Sequence, residues 1–257
     1  MKHLITTFSF ILFIVSCNTN EKKIITKAMA ETAVDSILVP ENLLSNITKD
    51  FILGKLDYKI DTRFVKVSSE HSTKLIYLQD EVYTAFLKLL DAAKKDGIQL
   101  KILSGTRNFN EQKAIWERKW KTYNNLKPLE CAFKILEYSA MPSSSRHHWG
   151  TDIDLNSLNN SYFNSGKGLE IHQWLVNNAN DFGFYQVYTE KSNGRTGYNF
   201  EKWHWSYLPL ANNYLEFYNT YISNKDITGF IGSELAENLK VKENYVNGVS
   251  DKVKNYK

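Results

Sequence analysis

The sequence is poor in the residues that build covalent or thiolate-based scaffolds. Its 257 residues include only two cysteines, Cys17 and Cys131, and only four prolines. No Cys-x-x-Cys pair is present, which excludes a zinc site built from thiolates, and two cysteines are too few for a disulfide framework. Any metal site must therefore use imidazole and carboxylate ligands.

Strong charge is also absent. The net charge is +4, and no run of basic residues or basic stripe interleaved with aromatic residues occurs. That pattern argues against a nucleic-acid partner. The chain is 42% hydrophobic and long enough for one sizeable domain with short extensions. We expect a monomer.

The only long apolar run lies at the start of the chain. Lys2 precedes an apolar stretch from Leu4 to Val15 that is too short for a confident membrane span and suits the apolar core of a signal peptide. Ile14-Val15-Ser16-Cys17 resembles a bacterial lipobox, in which the cysteine is lipidated. We therefore expect a cell-envelope lipoprotein, anchored to a membrane through Cys17 and facing the periplasm or the exterior.

Four segments follow from these patterns. We predict a lipoprotein signal peptide over residues 1–16, a polar tether over 17–45, one folded domain over 46–223, and a C-terminal extension over 224–257. The last segment is expected either to pack on the domain as helices or to trail off as a lysine-rich tail.

Within the domain, apolar spacing predicts alternating helices and strands. Helical periodicity predicts helices over residues 80–95, 110–123 and 169–182, with helical tendency at 130–138, 215–222 and 233–239. Alternating patterns predict strands over residues 98–103, 151–155, 184–188 and 203–208. This order favours an α+β fold with a small, largely antiparallel sheet flanked by helices.

Two short blocks carry the chemistry. The first is Ser145-Arg146-His147-His148-Trp149-Gly150-Thr151-Asp152-Ile153-Asp154, and the second is Glu201-Lys202-Trp203-His204. Two histidines and one aspartate suit a catalytic zinc, which keeps an open position beside three protein ligands. Asp152 and Asp154 lie on one face of a strand, so spacing alone leaves either as the ligand. Glu201 is a candidate base.

These blocks resemble the D-alanyl-D-alanine carboxypeptidases of the vancomycin-resistance type, whose superfamily includes lysostaphin-like enzymes and the hedgehog domain. The similarity rests on Ser145-x-His147-x6-Asp154, on Glu201-x-x-His204, and on Ser104-Gly105-Thr106-Arg107 followed by Gln112. It covers roughly residues 75–208. Thr106 replaces a frequent tyrosine, and Asp152 replaces a common small apolar residue. Asp152 is therefore a candidate partner for a ligand histidine.

The resemblance implies a role for each matching residue. One zinc ion per chain would be held by His147, Asp154 and His204. Glu201 would act as general base and acid. Arg107 would stabilise the oxyanion or hold a substrate carboxylate, a task that suits its fixed guanidinium fork. The two substrate-orienting residues implied are Gln112 and Ser145.

The function implied is a zinc-dependent D,D-carboxypeptidase that hydrolyses the terminal D-Ala-D-Ala bond of peptidoglycan stem peptides. One alternative is a cell-wall endopeptidase of the same superfamily that cuts another peptidoglycan amide bond. The other is a non-catalytic wall-binding lipoprotein that keeps the fold. The presence of Glu201 argues against the last, because a binding module has no use for a base there.

Overall fold

The computed structural model describes residues 47–257. The predicted signal peptide over 1–16, the tether over 17–45 and the lipidation site Cys17 lie outside the described residues. Within the described part, no helix has the length and the apolar character that crossing a membrane requires.

The described part begins with a short helix and a small hairpin. Helix α1 spans Lys49–Ile52, and its N-terminus is capped by Thr48, whose Oγ1 accepts a hydrogen bond of 3.2 Å from the Phe51 amide. Strands β1 (Phe64–Lys66) and β2 (Tyr77–Gln79) pair antiparallel. The sequence patterns missed both strands, because three residues are too few for an alternation to be recognised.

Helix α2 confirms the predicted amphipathic helix, with the bounds Asp80–Lys95. Its apolar stripe is buried, and Gly97 follows at a φ of 76°, a conformation that suits a helix end. The stripe consists of Val82, Ala85, Phe86, Leu89 and Ala93.

The larger sheet has four strands in the order β3-β4-β6-β5, with every neighbouring pair antiparallel. This confirms the predicted α+β fold with a small antiparallel sheet. The strands are β3 (Ile102–Ser104), β4 (Asp152–Leu155), β5 (Phe184–Gln186) and β6 (His204–Tyr207).

The strand predicted over residues 98–103 is wrong at its start. The ladder begins only at Ile102, because the backbone before it bonds to an irregular segment instead. The Lys101 amide and carbonyl both bond to Asn156, which lies just beyond β4 and has a φ of 62°.

Most of the remaining helices lie near their predicted positions, but the helix predicted over residues 215–222 begins earlier, at Leu208, which the alternating pattern predicts to be part of a strand. A capping box between Asn108 and Glu111 starts α3, which accounts for its first turn. The helix predicted over residues 169–182 changes near its end into a 3-10 helix, Ala179–Phe182. The four helices are α3 (Phe109–Thr122), α4 (Pro128–Ile135), α5 (Gly166–Asn178) and α6 (Leu208–Tyr221).

The two faces of the larger sheet differ in polarity. Ile153 on β4 and Trp205 on β6 belong to an apolar cluster with Phe86 of α2 and Leu175 of α5. Successive side chains of a strand point to opposite faces, so the residues between them face the other way. That opposite face carries Asp152, Asp154, His204 and Ser206, and it forms the floor of a cleft.

The C-terminal segment packs on the domain, which decides between the two alternatives for residues 224–257. Its apolar side chains belong to a second and larger cluster of buried residues, which also contains Phe51 and Trp149. The Ser250 amide donates to the Val187 carbonyl at 2.8 Å. The helix predicted over residues 233–239 is reduced to a 3-10 turn, Ser233–Leu235, and a last helix α7 spans Asp251–Lys254. The buried apolar residues include Ile227, Phe230, Leu239, Val241, Val246 and Val253.

Candidate active site

Strand register brings the polar residues of the cleft floor together. Ser104 of β3 lies opposite Asp154 of β4, and Asp154 lies opposite His204 of β6. Residues directly opposite in an antiparallel pair have their side chains on the same face. The register therefore places a hydroxyl, a carboxylate and an imidazole in one row across three strands.

His147 reaches this row from a tight turn that precedes β4. It lies in a 3-10 helix, Arg146–Trp149, which ends at Gly150 with a φ of 70°. A Cβ atom at Gly150 would clash with Phe64 Cε1, so glycine is required for space as well as conformation. This turn brings His147 Nε2 to 3.4 Å from Asp154 Oδ2.

His147, Asp154 and His204 form a set of potential metal ligands. One ligand atom from each lies within 4.8 Å of the others, and all three residues are buried. His204 Nδ1 lies 3.0 Å from Asp154 Oδ1, and His147 Nε2 lies 3.4 Å from Asp154 Oδ2. Zinc bonds of about 2.0–2.1 Å in a tetrahedron place neighbouring ligand atoms about 3.3 Å apart. The donor types and their spacing therefore fit zinc.

The outer nitrogen of each imidazole is hydrogen-bonded to the protein. His147 Nδ1 lies 2.8 Å from the Gly105 carbonyl oxygen, and His204 Nε2 lies 2.8 Å from Asp152 Oδ2. When each outer nitrogen carries the proton, the inner nitrogen has a free lone pair for a metal. The two aspartates therefore take different positions: Asp154 lies within the ligand set, and Asp152 lies behind His204.

Burial and neighbouring charge shift these ionisable groups in different directions. Burial opposes the charged form of His204, but hydrogen bonds to Asp152 and Asp154 outweigh burial and raise its pKa. Burial and the Arg107 charge lower the pKa of His147. Burial alone would raise the pKa of Asp154, yet the two histidines lower it below its usual range. Asp154 is thus held ionised, as a ligand must be.

Glu201 lies beside the ligand set. Its Oε2 is 3.7 Å from His204 Nδ1, and its backbone amide is held by the Tyr188 carbonyl at 2.9 Å. Burial raises the pKa of this carboxyl to about 8, with the Asp154 charge acting in the same direction. A carboxylate that binds protons this tightly suits a general base near neutral pH.

Arg107 faces the ligand set from the loop after β3. Its Nε donates to Gln112 Oε1 at 2.9 Å, and its Nη1 donates to Ser104 Oγ. Burial lowers its pKa, while Asp154 and Glu201 are the largest charges that counteract this effect. Two side chains thus hold a guanidinium close to the carboxylates of the site.

The two residues predicted to orient substrate occupy different positions. Gln112 is almost fully buried. Its Oε1 accepts from Arg107 Nε, and its Nε2 donates to the Ala140 carbonyl at 2.8 Å. Its contacts position Arg107. Ser145 is buried at the start of the 3-10 helix and lines the cleft near His147.

The cleft above this floor has a volume of about 630 Å³. Several of its features were missed by the sequence analysis. The Tyr188 ring lies against the His204 ring, with centroids 4.7 Å apart and planes inclined by 40°. Lys119 contributes a second cation beside Arg107, and Arg146 and Ser206 bond to Asp152. Ser206 was detectable, since it lies two residues after His204 and therefore on the same strand face.

His148 is structural, although it follows a candidate ligand directly. Its Nδ1 lies 2.7 Å from the Arg107 carbonyl oxygen, and its Nε2 accepts from the Ser143 amide at 3.1 Å. Burial lowers its pKa to about 3, so the ring is neutral and both nitrogens are engaged by backbone.

Comparison with known proteins identifies one family. The family model described as VanY, D-alanyl-D-alanine carboxypeptidase, matches residues 75–210, just over half of the 257-residue chain. The match includes both blocks of candidate ligands, the Arg107 segment and the whole of the larger sheet.

Two curated relatives are similar to this chain over 179 and 136 residues. YodJ of Bacillus subtilis (strain 168), whose name assigns it provisionally as a carboxypeptidase, is 30% identical over 179 residues, covering 68% of this chain and 63% of YodJ. A D-alanyl-D-alanine carboxypeptidase of Enterococcus faecalis is 29% identical over 136 residues, covering 52% of this chain and 46% of that enzyme. The chain thus spans less than two thirds of either relative.

Among solved structures, VanYB in complex with D-alanine-D-alanine has a similar fold. The TM-score is 0.50 at 22% identity, and the alignment covers 65% of this chain and 93% of that one. At this level of identity the likeness concerns the arrangement of helices and strands.

Proposed function

This chain belongs to the VanY family of D-alanyl-D-alanine carboxypeptidases, and on that premise we propose that it hydrolyses the terminal D-Ala-D-Ala bond of peptidoglycan stem peptides. The observation that carries the proposal is the convergence of His147, Asp154 and His204 with Glu201 beside them. Three ligands and a spare carboxylate at the floor of a cleft are what a zinc peptidase needs.

We propose that one zinc ion is held by His147 Nε2, the Asp154 carboxylate and His204 Nδ1. When bound, the ion supplies Lewis-acid polarisation of the peptide carbonyl and of a water molecule. The tied outer nitrogens keep both imidazoles oriented for this task. The substrate cleft opens directly above the set.

Glu201 takes the proton from the attacking water and later delivers it to the nitrogen of the leaving D-alanine. Its raised proton affinity, caused by burial, supports both transfers. For both transfers, the attacking water and the nitrogen of the scissile peptide bond must lie within hydrogen-bond distance of Glu201 Oε2. This oxygen is on the side of the carboxylate that faces His204.

Arg107 acts on the substrate's negative charge. Its Nε and Nη1 are held by Gln112 and Ser104, so the guanidinium is oriented before substrate arrives. A fixed fork suits the developing oxyanion or the terminal carboxylate of the peptide. Lys119, also on the cleft wall, adds positive charge that favours a substrate with a free C-terminus.

Product analysis tests the proposal. The purified full chain is incubated with zinc and either muropeptides or a synthetic peptide ending in D-Ala-D-Ala, and the products are identified by mass spectrometry. We expect free D-alanine, loss of its release with a chelator, and recovery with zinc. A matched peptide ending in L-Ala-L-Ala is the stereochemical control.

Two other outcomes would overturn the proposal. Larger peptide fragments without free D-alanine would identify an endopeptidase that cuts another peptidoglycan bond. Zinc binding with no turnover of any wall peptide would identify a wall-binding protein.

We further propose that the protein is a membrane-anchored lipoprotein of the cell envelope, lipidated at Cys17. The apolar stretch from Leu4 to Val15 and the lipobox-like residues before Cys17 support this placement. Cys17→Ala should move the protein from the membrane fraction to the soluble fraction. Cys131→Ala is the matched control and should leave fractionation unchanged; unchanged fractionation of Cys17→Ala would contradict the anchor.

A further inference from the structure

A fully buried carboxylate lies directly behind the candidate metal ligands. Asp152 Oδ2 is 2.8 Å from His204 Nε2 and accepts from Arg146 Nε at 2.9 Å. Its Oδ1 accepts from Ser206 Oγ at 2.6 Å and from Thr151 Oγ1 at 2.8 Å. Four donors therefore surround this one carboxylate, and its orientation is fully determined.

The bond to His204 decides which nitrogen of that ring is available. A neutral imidazole carries one proton, and the Asp152 carboxylate can only accept. In the neutral ring that a metal ligand requires, Asp152 would therefore hold the proton on Nε2 and leave the lone pair of Nδ1 for the metal, on the side where Asp154 Oδ1 lies 3.0 Å away. His147 has its proton held on Nδ1 by the Gly105 carbonyl, so its Nε2 faces the same carboxylate group.

Arg146 compensates the charge of Asp152. The guanidinium is buried, bonds to Ser206 Oγ through Nη2 at 2.8 Å, and stacks over the Trp149 ring at 4.7 Å. A buried carboxylate needs such a partner to stay ionised and accepting. Arg146 and Ser206 together keep Asp152 both charged and aimed at His204.

We infer that Asp152, supported by Arg146 and Ser206, is a positioning residue that orients the His204 ring and its tautomer for the metal. This inference rests on the proposed zinc site. Removing such a partner of a ligating histidine typically weakens metal affinity by about 10–100-fold. We expect this loss for Asp152→Ala.

Zinc affinity of the metal-free full chain is the measurement, made by competition with a chromophoric chelator. Asp152→Asn is the informative companion, because its side-chain oxygen can accept from His204 while its amide faces the hydroxyls of Ser206 and Thr151, which can accept. It should lose less affinity than Asp152→Ala. Asp91→Ala, an exposed aspartate on α2, is the control and should match the wild type.

Folding is checked by thermal unfolding of each variant in the presence of chelator. If Asp152→Ala does not fold because Arg146 is left unpaired, the double variant Arg146→Met with Asp152→Ala removes both charges and decides the question. Its expected loss of zinc affinity is again about 10–100-fold.

Wild-type affinity in a folded Asp152→Ala or double variant would overturn the inference. Equal losses in Asp152→Ala and Asp152→Asn would also overturn it, since charge alone would then be responsible. A wild-type chain that fails to bind zinc would instead refute the proposed function, so the two failures are distinguishable.

Discussion

The floor and the wall of the cleft are built in different ways. The floor, formed by Asp152, Asp154 and His204, lies on two paired strands, and backbone register sets the position of each side chain. The wall, formed by Arg107 and Gln112, lies on a loop and on α3, and it is held by hydrogen bonds between side chains.

This difference separates two tasks. Strands joined by a backbone ladder hold side chains at defined spacing, which a metal with short, directional bonds requires. A guanidinium held by two side chains still offers donors to a substrate. Changes to the floor should therefore affect metal binding or the chemical step, whereas changes to the wall should affect use of substrate with the metal retained.

The largest expected effect is that of Glu201→Gln. The amide cannot take a proton from water, so kcat for D-alanine release should fall about 10³-fold, within the usual contribution of general acid–base catalysis. Zinc affinity should remain near that of the wild type, because Glu201 lies outside the ligand set. Glu170→Gln, an exposed change on α5, is the control. Full residual activity would remove Glu201 from its assigned role.

Arg107→Ala should have the next largest effect. Loss of a preorganised donor to the oxyanion or the terminal carboxylate should lower kcat/KM about 10²-fold. The comparison of floor and wall predicts unchanged zinc affinity, measured by chelator competition. Arg107→Lys should recover little, because one ammonium cannot bond to both Gln112 and Ser104 in the same geometry. Lost zinc binding would show that the wall and floor act as one unit.

Gln112→Ala tests a wall residue that acts on substrate only through its hydrogen bond to Arg107. It leaves Arg107 Nε without its partner in a place that water hardly reaches, since Gln112 is 1% exposed. The loss of one hydrogen bond to a charged group corresponds to about a tenfold fall in kcat/KM. Steady-state kinetics on a D-Ala-D-Ala peptide measure it, with Glu117→Ala on the same helix as the control. A fall equal to that of Arg107→Ala would mean that Gln112 itself binds substrate.

Ser104→Ala should have the smallest effect on kcat/KM. Ser104 contacts both the floor and the wall of the cleft. Ser104 lies in the floor row opposite Asp154, yet its hydroxyl accepts from Arg107 of the wall. Because Ser104 lines the cleft, water can replace the lost hydroxyl, and kcat/KM should fall only roughly threefold. Zinc affinity measured in parallel should be unchanged. Weakened zinc binding would assign Ser104 to the floor.

Local patterns predicted much of the fold and few of its exact contacts. The bounds of α2 followed from its apolar stripe, and the helical pattern over residues 110–123 predicted α3, whose capping box between Asn108 and Glu111 is seen in the structure. The β1–β2 hairpin was missed, and the strand before Ser104 was predicted too long. The strands of the hairpin have only three residues each, too few for an alternation to be recognised, whereas the extent of β3 depends on its pairing with β4, which lies far along the chain.

The candidate site shows the same division. Sequence spacing and resemblance selected His147, Asp154, His204 and Glu201, and the structure brings these four together. Their roles stay predictions until the variants are measured. The partners Arg146 and Ser206 were missed. The bond from Ser206 to Asp152 forms when β4 pairs with β6, whereas the bond from Arg146 depends on the 3-10 turn that precedes β4.

The sequence by itself determined the types of ligand available, the absence of a thiolate site, and the helices whose periodicity and caps are local. It left Asp152 and Asp154 equivalent, since alternation places both on one strand face. The resemblance selected Asp154, but only the tertiary structure gives the physical distinction: the register of β4 on β6 sets Asp154 against His204 Nδ1 and Asp152 against Nε2. It also decided that residues 224–257 pack into the core. Both outcomes depend on contacts between residues that are distant in the chain. A local sequence pattern does not predict the free energy of such contacts.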